Sequence, residues 1–546
     1  MNWFVLIIQA FILFWLARAF KTALFWVYLW QLKEYHIGRF IDHFRTHKGK
    51  KIFLNFIFIA KVILLILVFL PKISGLLYYI FGALFLIYGI EFFIFLKSIL
   101  AKNLKIPKFT SKTIFLTSSS FIVVVFYAFW AADYLKTANW RGFFYSLLLF
   151  DVISPIIITG LVLIFQPVFI LFRDRMLSKA KAKIKKFDNL TVIAITGSYG
   201  KTTTKEFLKT ILSEKFNVLA TPEHKNSEAG IAETILNDLN ESHRIFIVEM
   251  GAYQKGGISL LCDIVKPKIG IVTGVNEQHL ATFGSMENLL SAEGGRELAE
   301  NLTDGGTIIL NGDNKHCLDL YKKFSGNKKL YSAAGDRVEA DIKTEHISVE
   351  KEFIHFIAKD SQKYMADFKV AVLGRHNISN LLAAILAAKE LGMSLEEIAI
   401  ACKKIKQEQG GIVLKKGIHG INIIDSSYSS NPDGVLADLD YLDIFEGKKV
   451  IVMPCLIELG EKSSEIHQKI GQKIAEVCDL AIITTKDKFE EIKQAATLHF
   501  HWMPENQIIL SQKPKEILMK ITTFCKEGDA VLLEGRVMVE IIKLLK

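Results

Sequence analysis

Val192-Ile193-Ala194-Ile195-Thr196-Gly197-Ser198-Tyr199-Gly200-Lys201-Thr202-Thr203-Thr204-Lys205 is the stretch on which the reading of this 546-residue chain turns. Five apolar or β-branched residues run into a glycine turn, and the turn opens an amphipathic helix, so the segment predicts strand, loop and helix in that order. In such a loop, Gly197 and Gly200 let backbone amides of Ser198 and Tyr199 approach phosphate oxygens, and the helix N-terminus adds positive potential. Lys201 neutralises terminal phosphates, while the Thr202 hydroxyl, followed by Thr203, can hold magnesium. The general pattern asks for one more glycine, at the position of Ile195. An ordinary strand-to-helix turn leaves Lys201 unexplained, so the loop predicts binding of a nucleotide phosphate with its metal.

Outward from this loop, short apolar strands alternate with helical stretches from about residue 189 to the end, which predicts parallel sheets covered by helices. A second strand, 245–249, ends on Glu249, and a third, 269–275, leads to His279. Ligands of a doubly wound sheet sit at the carboxyl ends of its strands, so both residues are candidates for metal or water beside the loop. Segments 421–425, 450–453, 480–484 and 530–533 read as strands of a Rossmann-like domain without its own dinucleotide fingerprint. His467, on a helix there, reads as a packed structural residue. Six scattered cysteines form no C-x-x-C pair and read as reduced core residues.

Before about residue 175 the composition changes. The chain is 51% hydrophobic and 23% charged, and the apolar excess is concentrated in runs at 2–30, 52–70, 74–96, 113–132 and 144–172. Each is long enough to span a hydrocarbon core about 30 Å thick. Arg18, Lys21, Lys61, Asp151 and Pro155 interrupt them, and such groups face neighbouring helices or snorkel. The opening run is too long for a cleaved signal peptide. Lys33, Arg39, Arg45, Lys48, Lys50 and Lys51 fill one loop; Lys97, Lys102, Lys105, Lys108 and Lys112 fill another; a third basic cluster begins at Arg173. Retention of Lys and Arg on the cytoplasmic side predicts a multi-pass cell-membrane protein with its N-terminus outside and the α/β half in the cytoplasm. The net charge of +11 then reflects topology and attraction to anionic lipid, not nucleic-acid binding, for which no recognition motif is present. The expected organisation is a membrane domain over 1–175, a basic linker over 176–190, an ATP-binding domain over 191–410 and a C-terminal domain over 411–546.

The α/β half resembles the Mur ligases of peptidoglycan synthesis. The resemblance rests on the loop 196–205, on Glu249-Met250-Gly251-Ala252, and on His279-Leu280 with Phe283-Gly284-Ser285. It continues through Gly374-Arg375-His376-Asn377 with Asn380 to Asp425-Ser426-Ser427-Tyr428-Ser429-Ser430-Asn431-Pro432-Asp433. The subgroup most resembled adds D-alanyl-D-alanine to a UDP-N-acetylmuramoyl-tripeptide. What the resemblance implies is ADP-forming amide ligation, with ATP and Mg2+ as cofactors and a muropeptide or nucleotide-sugar acceptor joined to D-alanyl-D-alanine or another amine. It implies that Lys201, Glu249 and His279 are catalytic, that Thr202, Glu249 and His279 serve magnesium, and that Asn377 contacts the adenine side. Asp425, Tyr428, Asn431 and Pro432 would belong to a C-terminal loop closing over the nucleotide. Thr221, Asn226, Ser227, Glu228 and Arg536 would meet the acceptor.

Four positions depart from the family pattern. Gly295 stands where members commonly carry a lysine that is carbamylated to help hold a second magnesium; Ala281 replaces a usual Glu, Gly411 a common Arg, and Ser426 the second Asp of the Asp-Asp-x-Tyr motif. The domain that grips the uridine nucleotide in soluble members has no room between the last apolar run and the loop at 197. Two rival readings follow: a related ligase making another amide polymer such as poly-glutamate, and a nucleotide-binding membrane scaffold without turnover.

Overall fold

The computed structural model describes residues 3–69, 74–223, 225–335, 338–427, 431–498, 503–537 and 539–545. The chain divides into two compact units, residues 1–174 and 175–546.

The first unit is helical. Val5–Leu32, Leu77–Leu100, Ser111–Lys136 and Trp140–Ile184 are long and apolar enough to cross a membrane. The run at 52–70, expected to be a fifth span, is shorter. Its helix, Phe56–Phe69, has 14 residues, about 21 Å at 1.5 Å per residue, against the roughly 30 Å of a bilayer core. The residues before it form two short helices, Ile37–His43 and His47–Phe53, capped by His36 and Thr46. The charges interrupting the apolar runs meet inside the unit. Arg18 Nη1 lies 2.7 Å from Asp151 Oδ1, and Lys61 Nζ lies 2.5 Å from Glu91 Oε2 and 2.8 Å from Asp151 Oδ2. Two cations thus face two carboxylates, which is how buried charge is tolerated.

The second unit is α/β. Its larger sheet contains β1 (Thr191–Thr196), β2 (Val218–Ala220), β3 (Ile245–Glu249), β4 (Ile269–Val272), β5 (Thr307–Asn311), β6 (Asn327–Ser332), β7 (Ile342–Val349), β8 (Ile354–Asp360) and β9 (Met365–Val370). They lie in the order β2-β3-β1-β4-β5-β6-β7-β8-β9. All neighbours are parallel except β7 to β9, which pair antiparallel. β1 is central, with Ile195 beside Glu249 and Thr196 beside Val272. Chain order reverses around β1, so the loops after β1, β3 and β4 gather at one edge of the sheet. The third strand ends at Val272 rather than 275, because Gly274 turns out of the sheet at φ +144° and its carbonyl accepts from Ser198 N at 2.8 Å.

The smaller sheet contains β10 (Val413–Lys416), β11 (Asn422–Ser426), β12 (Lys449–Met453), β13 (Leu480–Ile483), β14 (Ile508–Leu510) and β15 (Ala530–Glu534), in the order β10-β11-β15-β12-β13-β14. Only β10 is antiparallel to its neighbour. All six cysteines are buried and unbridged. Residues 176–184, read from sequence as part of a linker, are helical: Leu177, Ala180 and Ile184 join the core beneath the larger sheet, and Lys181 pairs with Asp263 at 2.5 Å.

Candidate functional site

The loop after β1 is built so that no side chain crowds it. Gly200, at φ +73°, caps the helix Lys201–Leu212, and a Cβ there would fall 2.4 Å from Asn380 Oδ1. Only glycine tolerates that conformation and that approach. Lys201 Nζ folds back on Gly197 O at 2.5 Å, within its own loop.

Glu249, at the end of β3, is 3% exposed. Its Oε1 accepts from Thr202 Oγ1 at 3.0 Å and from Asn226 Nδ2 at 3.1 Å, and its backbone amide donates to Thr221 Oγ1 at 3.0 Å. Oε2 has no hydrogen bond and faces the fully buried ammonium of Lys205 at 3.3 Å. Two expected site residues from separate segments, Thr202 and Asn226, thus converge on the Glu249 carboxylate, while Thr221 holds its backbone amide. Ser227 caps the helix Glu228–Asn237 through its hydroxyl, and Glu228 opens that helix.

His279 meets the loop from the other side. Its Nδ1 lies 2.9 Å from Glu293 Oε1, and Ser198 Oγ donates to Glu293 Oε2 at 2.7 Å. Burial pushes the Glu293 carboxyl up, but the charge and hydrogen bond of His279, the charge of Lys201 and the Ser198 hydroxyl outweigh it and hold the group below its ordinary value. Glu249 and His279 therefore flank the same loop, one through Thr202 and one through Ser198.

The C-terminal domain reaches this edge through Asn276. Its amide donates to Asn431 Oδ1 at 3.1 Å and to Asp433 Oδ2 at 2.9 Å, at the start of the helix Pro432–Leu442 that Asn431 caps. Asp425 is held by Lys415 Nζ at 2.9 Å and by Ser427 Oγ at 2.6 Å, which keep it below its ordinary pKa against the effect of burial. Tyr428 lies outside the described residues. Arg536 is exposed, just after Gly535, whose amide donates to Ser426 O.

Asn377, expected on the adenine side, is packed into the fold. It is fully buried, its amide donates to Leu373 O at 2.7 Å and Gly410 O at 3.0 Å, and its Oδ1 accepts from Asn380 at 3.1 Å. With every polar atom occupied, it acts on the loop through Asn380, which Gly200 touches. His467 is structural as expected: Nδ1 lies 2.6 Å from Ser463 O and Nε2 accepts from Leu456 N at 3.0 Å.

Among the described residues no three His, Cys, Asp or Glu side chains form a metal cage. The Thr202 hydroxyl, at the start of the helix after the glycine loop, and the Glu249 carboxylate, at the end of β3, lie 3.0 Å apart and are nevertheless the hard oxygen donors that magnesium takes when phosphate oxygens complete its shell. The Thr202 and Glu249 pair fits that cation.

The model of the Mur ligase middle domain matches residues 195–388, and that of the Mur ligase glutamate ligase domain matches residues 412–537. The chain belongs to the Mur ligase family. Its middle and C-terminal Mur domains make it an enzyme of the ADP-forming ligase type. The UDP-N-acetylmuramoyl-tripeptide--D-alanyl-D-alanine ligase of Bacillus subtilis is 28% identical over 369 residues, covering 67% of this chain and 77% of that protein. The enzyme of the same name from Synechocystis is 31% identical over 287 residues, which is 52% of this chain and 59% of that protein, less than two-thirds of its length. The crystal structure of MurF ligase from Thermotoga maritima in complex with ADP superposes with a TM-score of 0.59 at 25% identity, over 68% of this chain and 83% of that one.

Two residues of this Mur ligase site escape a sequence reading. Glu293 precedes two glycines on an otherwise unremarkable stretch, and Asn276 looks like a strand-end cap. Only the fold brings them to Ser198 and Asn431.

Proposed function

We propose that this protein is a membrane-tethered ligase of peptidoglycan precursor synthesis that joins D-alanyl-D-alanine, or a similar amine, to the terminal carboxylate of a muropeptide. The reading rests on a carboxylate and an ammonium held against one phosphate loop, Glu249 on Thr202 beside Lys201, in a chain with both Mur domains. The acceptor carboxylate takes the γ-phosphoryl group of ATP, ADP leaves, the amine attacks the acyl phosphate, and phosphate departs as the amide forms. Thr202 and Glu249, with His279, would hold magnesium, which would supply charge neutralisation for the phosphoryl transfer. Lys201 neutralises the terminal phosphate, and the amides of 197–202 orient it, so catalysis is chiefly positioning. Thr221, Asn226, Ser227 and Glu228 border the acceptor; Asp425, Tyr428, Asn431 and Pro432 close from the C-terminal domain; Arg536 is an exposed cation available to an anionic substrate.

The apolar helices of the first unit tether the ligase at the cytoplasmic face against anionic lipid, and an N-terminus on the outside requires the short helix Phe56–Phe69 to cross as a fifth span. Only 185–190 separates the helix Trp140–Ile184 from β1, which leaves no uridine-gripping domain between them and favours a lipid-linked acceptor. The test incubates the detergent-solubilised full chain with ATP, magnesium, D-alanyl-D-alanine, and soluble or lipid-linked muropeptide, with products identified by mass spectrometry. An amide product with release of phosphate supports the ligase. Tight ATP binding with no product from any pair tried would favour a silent scaffold, and equal use of the soluble acceptor would remove the lipid-linked one.

A further inference from the structure

Lys205 closes the stretch that carries the glycine loop, one turn into the helix Lys201–Leu212, and its side chain is fully buried. Its ammonium lies 3.3 Å from Glu249 Oε2, at the end of β3, and 3.3 Å from Oε1 of its neighbour Glu206. Neither Lys205 Nζ nor Glu249 Oε2 makes a hydrogen bond, and both atoms are buried. What joins them is charge.

The two oxygens of Glu249 therefore have separate surroundings. Oε1 takes the hydroxyl of Thr202, next to the glycine loop, at 3.0 Å and the Asn226 amide at 3.1 Å. Oε2 faces the buried ammonium. Thr202 and Lys205 stand three residues apart on one helix, so they share a face of it, and that face brings the hydroxyl to one oxygen and the ammonium to the other. An apolar side chain would fill the place of Lys205 without the cost of taking an ammonium out of water. What the lysine adds is a positive charge that keeps Oε2 occupied.

The number of oxygens a carboxylate offers separates the common divalent cations. Calcium takes roughly six to eight oxygens at about 2.3–2.6 Å and accepts both oxygens of one carboxylate, whereas the near-ideal octahedron of magnesium at about 2.0–2.1 Å is poorly served by so narrow a bite. A Glu249 with Oε2 turned to Lys205 offers one.

We propose that Lys205 is a specificity-determining residue: by occupying Oε2 of Glu249 it limits the carboxylate to one ligating oxygen and so selects magnesium over calcium beside the nucleotide phosphates. This rests on the reading of Thr202 and Glu249 as magnesium ligands given above.

The test uses the full chain in detergent with a non-hydrolysable ATP analogue and Mn2+ as the probe. Electron paramagnetic resonance follows displacement of bound manganese by Mg2+ or by Ca2+, and the ratio of the two affinities is divided by the same ratio for the analogue free in solution. The wild type should prefer magnesium beyond the free analogue. Lys205→Met keeps an unbranched side chain without the charge, and its preference should fall about 10-fold or more, the scale on which partners of metal ligands act; thermal unfolding establishes that it is folded. Infrared difference spectra of the wild type give a second reading that decides the matter if Lys205→Met does not fold. The splitting of the carboxylate stretches should show coordination through one oxygen with either cation. A wild type without the preference overturns the proposal, and so does two-oxygen binding of calcium by the wild type. So too does a folded Lys205→Met whose ratio is unchanged, loss of both cations in equal measure included. Each of these leaves nucleotide and cation binding by the wild type in place. Failure of the wild type to bind manganese with the analogue would instead remove the reading of Thr202 and Glu249.

Discussion

Lys201 and Glu534 illustrate the two ways a single charge acts in this protein. The ammonium of Lys201 lies on its own loop, and on the proposed reading its worth appears only when phosphate is bound. Lys201→Ala should therefore lower phosphate release by about 100-fold or more, on the scale of losing one preorganised electrostatic contact, with unchanged thermal unfolding of the free protein. Glu534 ends β15 directly beside Ser426, whose hydroxyl donates to Asp438 Oδ2 at 2.5 Å. Both Glu534 oxygens are buried without a hydrogen bond, and burial first, then the Asp438 charge, pushes its pKa well above the ordinary 4.5. The unfolded chain ionises this group near 4.5 while the folded one keeps the proton, so the stability it contributes is complete below that value and falls as pH rises above it. Glu534→Gln should raise Tm by about 2–4 °C per kcal/mol recovered at pH 8, and hardly at all at pH 4; equal effects at both would refute the assignment. The pocket also accounts for Ser426: the family's second Asp would set a third carboxylate against two that already share the space.

At the scale of elements, the strands carrying the site were legible, because β1 and β3 are short, mostly apolar runs, buried but for Thr191 and bounded by turn residues. The antiparallel β7–β9 extension was not, since its half-exposed alternation around charged residues carries a weaker signal. The apolar helices were legible by length, but the pairing of their charges was not. Arg18, Lys61, Glu91 and Asp151 come from four separate helices. Asp151→Ala leaves both cations short of a buried partner and should cost about 3–5 kcal/mol, read as an earlier unfolding transition of the solubilised chain; a variant within 0.5 kcal/mol of wild type would mean that water reaches the cluster.

For the whole molecule, the proposed tether predicts that the expressed chain stays with membranes through carbonate washing at high pH, where only electrostatic attachment is lost. Recovery in the supernatant would show that the apolar helices do not insert. Of the candidate site, sequence order placed the loop, Glu249 and His279 at the ends of successive strands, and the sheet sets those strands side by side. The place of Asn377 was not legible, since an asparagine on a helix looks the same whether its amide faces a ligand or, as here, carbonyls of two other segments.

Local chemistry thus determined the α/β class, the phosphate loop and the apolar helices, each of which depends on residues adjacent in the chain. Only the tertiary structure decided that Glu293 stands behind His279, that Asn276 ties the two sheets together, and that Lys205 stands behind Glu249. These follow from distances between segments far apart in sequence, and such distances are set by packing.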